Sequence, residues 1–314
     1  MADCRTGSGK GRGGIVVFAP WPLLTITIEA GARRGDFIHL HAGGQGVWIA
    51  RMIAGLGHDV LLVAPFGHGA GDVTAALLRG EGIGVRAVAI GTRTGAYVDD
   101  RREGARRQVA RSWPDPLDRH EQDDLYDAIL TSALEVGRVV LTGTEDESFF
   151  PPEAIARLAG DLGRAGVDVV ADLSRRALMA QRGGIACLKV SHDELREAGF
   201  ARSGSREDIL AGIDALGDRA RDVVVSCAAA GVVARIEGRL VEAAAPQMTA
   251  FDHTGAGDSM TAGLAAARLE GLAGEDALKF AAAAGAINVT RHGRGTGSRE
   301  DIERMARLVE VRGL

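Results

Sequence analysis

The sequence predicts an α/β fold in which a largely parallel sheet is covered on both faces and a small separate β flap is added. From about residue 43 onward, short apolar runs alternate with helical stretches, the spacing of βα units. Two stretches, roughly 20–42 and 86–112, break that rhythm with patchy polar–apolar alternation. Glycine accounts for 44 of 314 residues and aromatic residues for only 4%. A core of Ala, Val, Leu and Ile is therefore expected, with a backbone that closely approaches something in several places.

The elements follow in order. Ile15 to Pro20 reads as a short buried strand, and 25–41 as half-exposed strand patches (Thr25 to Glu29, then Phe37 to His41). Val47 to Leu56 is a helix, Val60 to Pro65 a buried strand, Asp72 to Arg79 a helix and Val85 to Ile90 a strand. Residues 91–112, with Arg101, Arg102, Arg106, Arg107 and Arg111, look like a polar hairpin. Further strands are expected at 138–142, 168–172, 186–190, 222–227 and 232–236. Helices are expected at 119–136, 152–165, 206–216, 259–270, 276–290 and 298–311. Residues 1–14 read as a flexible polar tail and 15–314 as the folded unit, with flap segments at about 20–42 and 86–112 that form a small antiparallel sheet.

Bulk properties exclude several classes. The glycines lack a three-residue period and apolar residues are frequent, so collagen and disorder are excluded. A net charge of −5 gives no reason to expect a nucleic-acid partner. Cys4, Cys187 and Cys227 are too far apart for a disulfide framework or metal knuckle, as suits a reducing compartment. The start lacks the apolar core of a signal peptide and no run approaches a bilayer span, so the expectation is a cytoplasmic protein with no membrane partner.

Three glycine clusters are candidates for phosphate binding. Gly7-Ser8-Gly9-Lys10-Gly11 lacks Walker spacing, its hydroxyl and a preceding strand, and is set aside. Gly67 to Asp72 fits a tight strand-to-helix turn better than a dinucleotide fingerprint, whose third glycine falls one residue later. Asp252 to Asp258 opens a helix of small residues, where unpaired backbone N–H groups attract phosphate oxygens. There Asp258 is either a base for an attacking hydroxyl or only a helix-starting acid. Arginines of the 91–112 hairpin either grip a substrate phosphate or form a solvated charged face.

Asp252-His253-Thr254-Gly255-Ala256-Gly257-Asp258 and the following helix resemble the C-terminal signature of the PfkB (ribokinase-like) carbohydrate kinases. Gly43-Gly44-Gln45-Gly46-Val47-Trp48-Ile49-Ala50-Arg51 is similar to the family's Gly-Gly-Lys-Gly-x-Asn-x-Ala-Arg. Pro20-Trp21-Pro22-Leu23-Leu24-Thr25 and Leu188-Lys189-Val190-Ser191-His192-Asp193-Glu194-Leu195 resemble segments of the 1-phosphofructokinase and tagatose-6-phosphate kinase branch. The resemblance implies a three-layer αβα sandwich with a mostly parallel central sheet and a small β-sheet lid.

It also implies an ATP- and Mg²⁺-dependent transfer of the γ-phosphoryl group to a hydroxymethyl group of a sugar or sugar phosphate. Asp258 would be the base, and the backbone of Gly255, Ala256 and Gly257 the anion hole. Glu194 would act on Mg²⁺ through water. Ser191, Ser226, Gly231, Thr254, Asn288 and Gly295 would lie on the nucleotide side. Gly43 and Gly44 would face the acceptor with Thr25, Trp21 and Trp48, and Arg107 would stand for the hairpin arginines. Thr25, Trp21, Gln45 and Trp48 replace the family's Asp, Asn, Lys and Asn. Those departures leave open a same-fold kinase of a nucleoside or other non-sugar alcohol, or a non-catalytic binding protein. A homodimer joined through the lid is a further expectation.

Overall fold

The computed structural model describes residues 13–314 apart from 33, 247, 250, 251 and 292. The tail to residue 12, the Gly7–Gly11 cluster and Cys4 lie outside the described residues. In chain order the strands are β1 (Ile15–Phe18), β2 (Leu23–Glu29), β3 (Phe37–Gly43), β4 (Val60–Phe66), β5 (Gly84–Ala89), β6 (Gly95–Asp100) and β7 (Arg107–Ser112). They continue with β8 (Arg138–Thr142), β9 (Asp168–Asp172), β10 (Ile185–Ser191), β11 (Ala220–Ser226), β12 (Val232–Ile236), β13 (Arg239–Ala244) and β14 (Glu310–Gly313). The helices are α1 (Gln45–Gly55), α2 (Ala70–Gly80), α3 (Arg119–Val136), α4 (Pro152–Arg164) and α5 (Arg175–Ala180). They continue with α6 (His192–Glu197), α7 (Arg206–Leu216), α8 (Ala256–Leu269), α9 (Gly274–Asn288) and α10 (Arg299–Ala306).

Ten strands form one sheet in the order β14-β13-β12-β11-β10-β9-β8-β1-β4-β5. The seven strands from β11 to β5 pair in parallel, and β12, β13 and β14 complete the other edge antiparallel. The parallel strands are apolar runs because both faces are covered. On one face, α1, α2, α8, α9 and α10 bury Val47, Leu78, Leu264, Phe280 and Ile302. On the other, α3, α4, α5, α6 and α7 bury Ile129, Leu158, Leu178, Leu195 and Ile213. The result is the expected αβα sandwich.

The lid is a four-stranded sheet in the order β3-β2-β6-β7. It is mixed rather than antiparallel throughout, because its central pair, β2 with β6, runs parallel. Each strand of that pair enters the lid from the main sheet, so both run outward in the same sense. The lid's second segment begins at Gly95, while residues 84–89 belong to the main sheet as its edge strand.

The expected helix 298–311 ends at Ala306, and residues 310–313 instead pair with β13. Ile302, Met305 and Val309 keep a helical spacing, but the open edge of β13 captures the last backbone groups. No helix among the described residues is long and apolar enough to cross a membrane.

Candidate active site

The parallel register places Lys189 of β10 opposite Asp172, the last residue of β9. Lys189 Nζ lies 3.2 Å from Asp172 Oδ2, and both side chains are buried. Thr261, one turn into α8, donates its hydroxyl to the same Oδ2 at 2.6 Å. Three carboxylates, those of Asp172, Glu194 and Asp258, act on this single buried cation. Burial opposes charge on Lys189, but the surrounding carboxylates hold its ammonium above the ordinary lysine value. Burial and the charge of Asp172 push the Asp258 carboxyl up to about 7, with Lys189 and a hydrogen bond from Gln45 pulling the other way. Asp172 is raised as well, by burial before any other cause.

Asp258 sits in the first turn of α8, where the helix dipole and unpaired N–H groups meet. Gly255 caps the helix at φ 82°, a left-handed conformation that only glycine adopts without cost. The helix that follows is small for a packing reason: a Cβ on Gly263 would come within 2.8 Å of Ala281 Cα on α9. Asp252 Oδ1 accepts the Thr254 N–H at 2.9 Å, which shapes the loop ahead of the glycines. His253 is exposed beside it.

Asn288 and Gly295 hold together the loops on the side where the resemblance puts the nucleotide. Asn288 is 1% exposed, and its side-chain Nδ2 donates to the Thr254 carbonyl while Oδ1 accepts from the Gly295 N–H. Its amide is consumed in tying the 254–257 loop to the 293–297 turn. Gly295, at φ 66°, lies against α1, where a Cβ would stand 2.2 Å from the Trp48 carbonyl oxygen. Close packing against α1 accounts for that glycine.

Ser191 and Glu194 form a reciprocal capping box at the start of α6: Ser191 Oγ accepts the Glu194 N–H at 3.2 Å and Glu194 Oε2 accepts the Ser191 N–H at 2.7 Å. Ser226 lies beside Ser191 in register, and its carbonyl accepts from His192 Nδ1 at 3.3 Å. Gly231, at φ 93°, closes the turn after β11 with no room for a Cβ beside the Ala243 carbonyl. These residues share the carboxyl ends of adjacent parallel strands, where open α/β sheets bind ligands. Among the described residues, no three His, Cys, Asp or Glu side chains gather as a metal cage. Mg²⁺ in phosphoryl transfer draws most ligands from phosphates and water, so the half-buried Glu194 fits an outer partner of the ion.

Gly43 and Gly44 sit where lid meets core. A Cβ on Gly43 would stand 2.8 Å from Thr25 Oγ1 and 3.8 Å from Trp48 Nε1, and one on Gly44 would strike the Trp21 carbonyl at 2.4 Å. Thr25, Trp48 and the two glycines are therefore brought together. Thr25 is also level with Tyr97 across the parallel lid pair.

Trp21 and Arg107 are not where the sequence suggested. Trp21 is 7% exposed and packs edge-on against Trp113 and Phe149. Its faces are core surface, and only its Nε1–H is left without an acceptor among the described residues. Arg107 lies at the outer end of the lid, 70% exposed and paired with Asp100 at 3.1 Å. The register places that pair five positions beyond Gly95, away from the junction with the core.

Sequence reasoning missed Asp172, Lys189 and Thr261 as site residues, and had Gln45 only as a departure from the family pattern. Two signals were available. A carboxylate ends the apolar run Val169-Val170-Ala171-Asp172, and a cation interrupts Leu188-Lys189-Val190. Lys10, Lys189 and Lys279 are the only lysines in an arginine-rich chain. A charge inside a buried strand persists only with a partner.

The chain is similar to known proteins along most of its length. The chain is 27% identical over 318 residues to the ATP-dependent 6-phosphofructokinase isozyme 2 of Mycobacterium tuberculosis, covering 95% of this chain and 91% of that protein. It is 26% identical over 282 residues to the 1-phosphofructokinase of Vibrio cholerae, covering 88% and 87%. The crystal structure of phosphofructokinase-2 from Escherichia coli in complex with potassium superposes with a TM-score of 0.83 at 22% identity, covering 93% of this chain and 98% of that one. The family profile described as pfkB family carbohydrate kinase matches residues 26–301, and the chain belongs to that family.

Proposed function

We propose that the chain transfers the γ-phosphoryl group of ATP to a hydroxymethyl group of a sugar phosphate. The observation that carries this reading is the placement of Asp258: a carboxyl raised to about 7, at a helix N-terminus, opposed by the buried Lys189. A base with that affinity takes a proton at neutral pH without being permanently protonated. The acceptor oxygen bonds to the γ-phosphorus as the bond to the bridging oxygen of ADP breaks, and the hydroxyl proton goes to Asp258. Charge on the transferring group is met by the N–H groups of Gly255, Ala256 and Gly257 and by Lys189.

Glu194 and Ser191, with Ser226, Gly231 and Thr254, supply the nucleotide side, and Glu194 would hold Mg²⁺ through water. When bound, that ion neutralises the phosphates and orients them for in-line transfer. Asn288 and Gly295 support this side through the loops they hold.

On the acceptor side, Gly43, Gly44, Thr25 and the Nε1–H of Trp48 would take sugar hydroxyls. One face of the Trp48 ring is covered by the Arg294 guanidinium, 4.9 Å from its centroid, and that cation suits an acceptor bearing phosphate better than a neutral nucleobase. That favours a sugar phosphate over a nucleoside.

The lid's outer strand β3 presents Phe37, Ile38 and Leu40 at 58%, 64% and 43% exposure. An apolar strand of that kind is suited to pairing with a second lid, so the reading includes a homodimer. A cytoplasmic location is part of the same proposal.

The test is ADP release across a panel of hexoses, hexose phosphates and nucleosides, with Asp258→Asn as control. The reading requires turnover with a hexose phosphate that Asp258→Asn abolishes. Full activity in the variant, or turnover of nucleosides alone, would refute it.

A further inference from the structure

The arginines of the lid, which from sequence suggested a phosphate grip, are already paired with lid or loop acids. Arg101 faces Asp252 at 3.7 Å, Arg102 bonds Asp100 and Asp36, Arg106 bonds Asp99 at 2.6 Å, and Arg107 bonds Asp100. Arg111 lies over the Trp113 ring instead. A guanidinium in a bidentate or buried pair is poorly placed to receive a substrate anion as well.

Arg294 differs. It is half-buried, and no carboxylate among the described residues lies within ion-pair distance of it. Its Cβ stands 3.4 Å from where a Cβ on Gly255 would be, so the side chain starts beside the anion loop. It then runs to the lid junction, where its guanidinium stacks over Trp48 and Nη1 donates to Tyr97 Oη at 3.2 Å. Tyr97 is level with Thr25, and Trp48 Nε1 lies near Gly43 beside the same threonine.

The base of the side chain is equally fixed. Arg51 donates to the Arg294 carbonyl at 3.4 Å, and the next N–H, that of Gly295, goes to Asn288. Stacking and one hydrogen bond to the Tyr97 hydroxyl orient the guanidinium; Asp252 feels its charge from a distance, but no carboxylate among the described residues takes up its remaining N–H donors.

We propose that Arg294 is a specificity-determining residue that binds an anionic group, a phosphate or carboxylate, carried by the acceptor. The proposal rests on the sugar-kinase reading of this site and deepens it. The family's hydroxyl-gripping acid is Thr25 here, and a cation has entered the same neighbourhood. A planar cation with free N–H donors and no carboxylate in ion-pair contact suits an acceptor that already bears negative charge.

The experiment compares wild type, Arg294→Gln and Arg294→Lys on fructose 6-phosphate, fructose 1-phosphate and fructose. Wild type is expected to favour a phosphorylated sugar. Arg294→Gln should raise KM for it about 10- to 100-fold, with kcat within about threefold and KM for ATP steady. The preference for sugar phosphate over sugar should collapse, and Arg294→Lys should recover part of it.

A guanidinium that only props the lid would weaken all three acceptors alike, and one that serves the transferred phosphoryl would lower kcat instead; either result overturns the proposal. A second readout needs no turnover. With the nucleotide side filled by a non-hydrolysable ATP analogue, inorganic phosphate should saturably change tryptophan emission in wild type and not in Arg294→Gln. If that response depends on Arg294 while no acceptor is phosphorylated, the inference stands and the kinase reading fails. Equal responses in both proteins overturn the inference alone.

Discussion

The Nζ of Lys189 lies 2.6 Å from where a Cβ on Gly257 would stand, so this ammonium occupies the space that any larger residue would claim at the start of α8. Lys189 cannot swing aside cheaply, because it is buried and bound to Asp172. The glycine therefore serves the cation as much as it serves an incoming phosphate.

Gly257→Ala is expected to displace Lys189 by a fraction of an ångström to an ångström. Misplacement of that size costs about 10- to 100-fold in kcat. Steady-state kinetics should report the loss while the thermal melt stays close to wild type.

Asp258→Asn is expected to lower kcat by about 10²- to 10⁴-fold and leave ATP affinity, measured by calorimetry, within about threefold. The same change should stabilise the fold above neutrality. Asp258 is raised in the folded chain, from 3.8 to about 7, so its ionisation opposes folding. The cost is absent below the unfolded value, grows as pH rises and is complete above about 7. At about 1.4 kcal/mol per unit the gain has a ceiling near 4 kcal/mol, reduced by solvent at its open edge. Melting temperatures of the two proteins should converge near pH 4 and separate by pH 8.

The rate should follow the same group. Because Asp258 must be ionised to take a proton, kcat/KM is expected to rise through about pH 7 and level off above it. Lys189→Met removes the cation that favours this ionisation, so the limb should move to higher pH. It should also cost about 3–5 kcal/mol of stability in urea melts, since Asp172 is left buried without its partner. An unmoved limb would show that the group titrating is not Asp258.

Replacing Phe37 with Glu and Ile38 with Lys tests the lid pairing. Both side chains are exposed on β3, so the fold should survive. Light scattering should show a dimer becoming a monomer at micromolar concentration; an unchanged mass would exclude this face as the interface.

Much of the layered core was legible because its residues obey local rules. Apolar runs mark strands buried on both faces, and the small residues after Asp258 mark the helix α8 that packs closely on α9. The last strand was not legible, because the pairing that makes it lies some 70 residues away on β13. Asp258 and its loop could be read as a contiguous motif. Lys189, Asp172 and Thr261 come together only through strand register and helix docking, and no spacing in the chain encodes that. Trp21 misled for a related reason: its rarity suggested function, while Trp113 and Phe149, far along the chain, show a packing role. Between the two readings of the lid arginines the sequence could not choose, because their acids, such as Asp99 and Asp100, pair with Arg106 and Arg107 across strands.

Asn288 has a consequence for how such an enzyme diversifies. A single carboxamide bolts the loop ahead of Asp258 to the turn that carries position 294. The backbone of that turn is held independently of the side chain it displays. Position 294 can therefore be exchanged for a neutral, acidic or aromatic residue without disturbing the apparatus that moves the phosphoryl group. Divergence at the acceptor end is then a matter of interchangeable parts, while replacing Asn288 would loosen both ends at once.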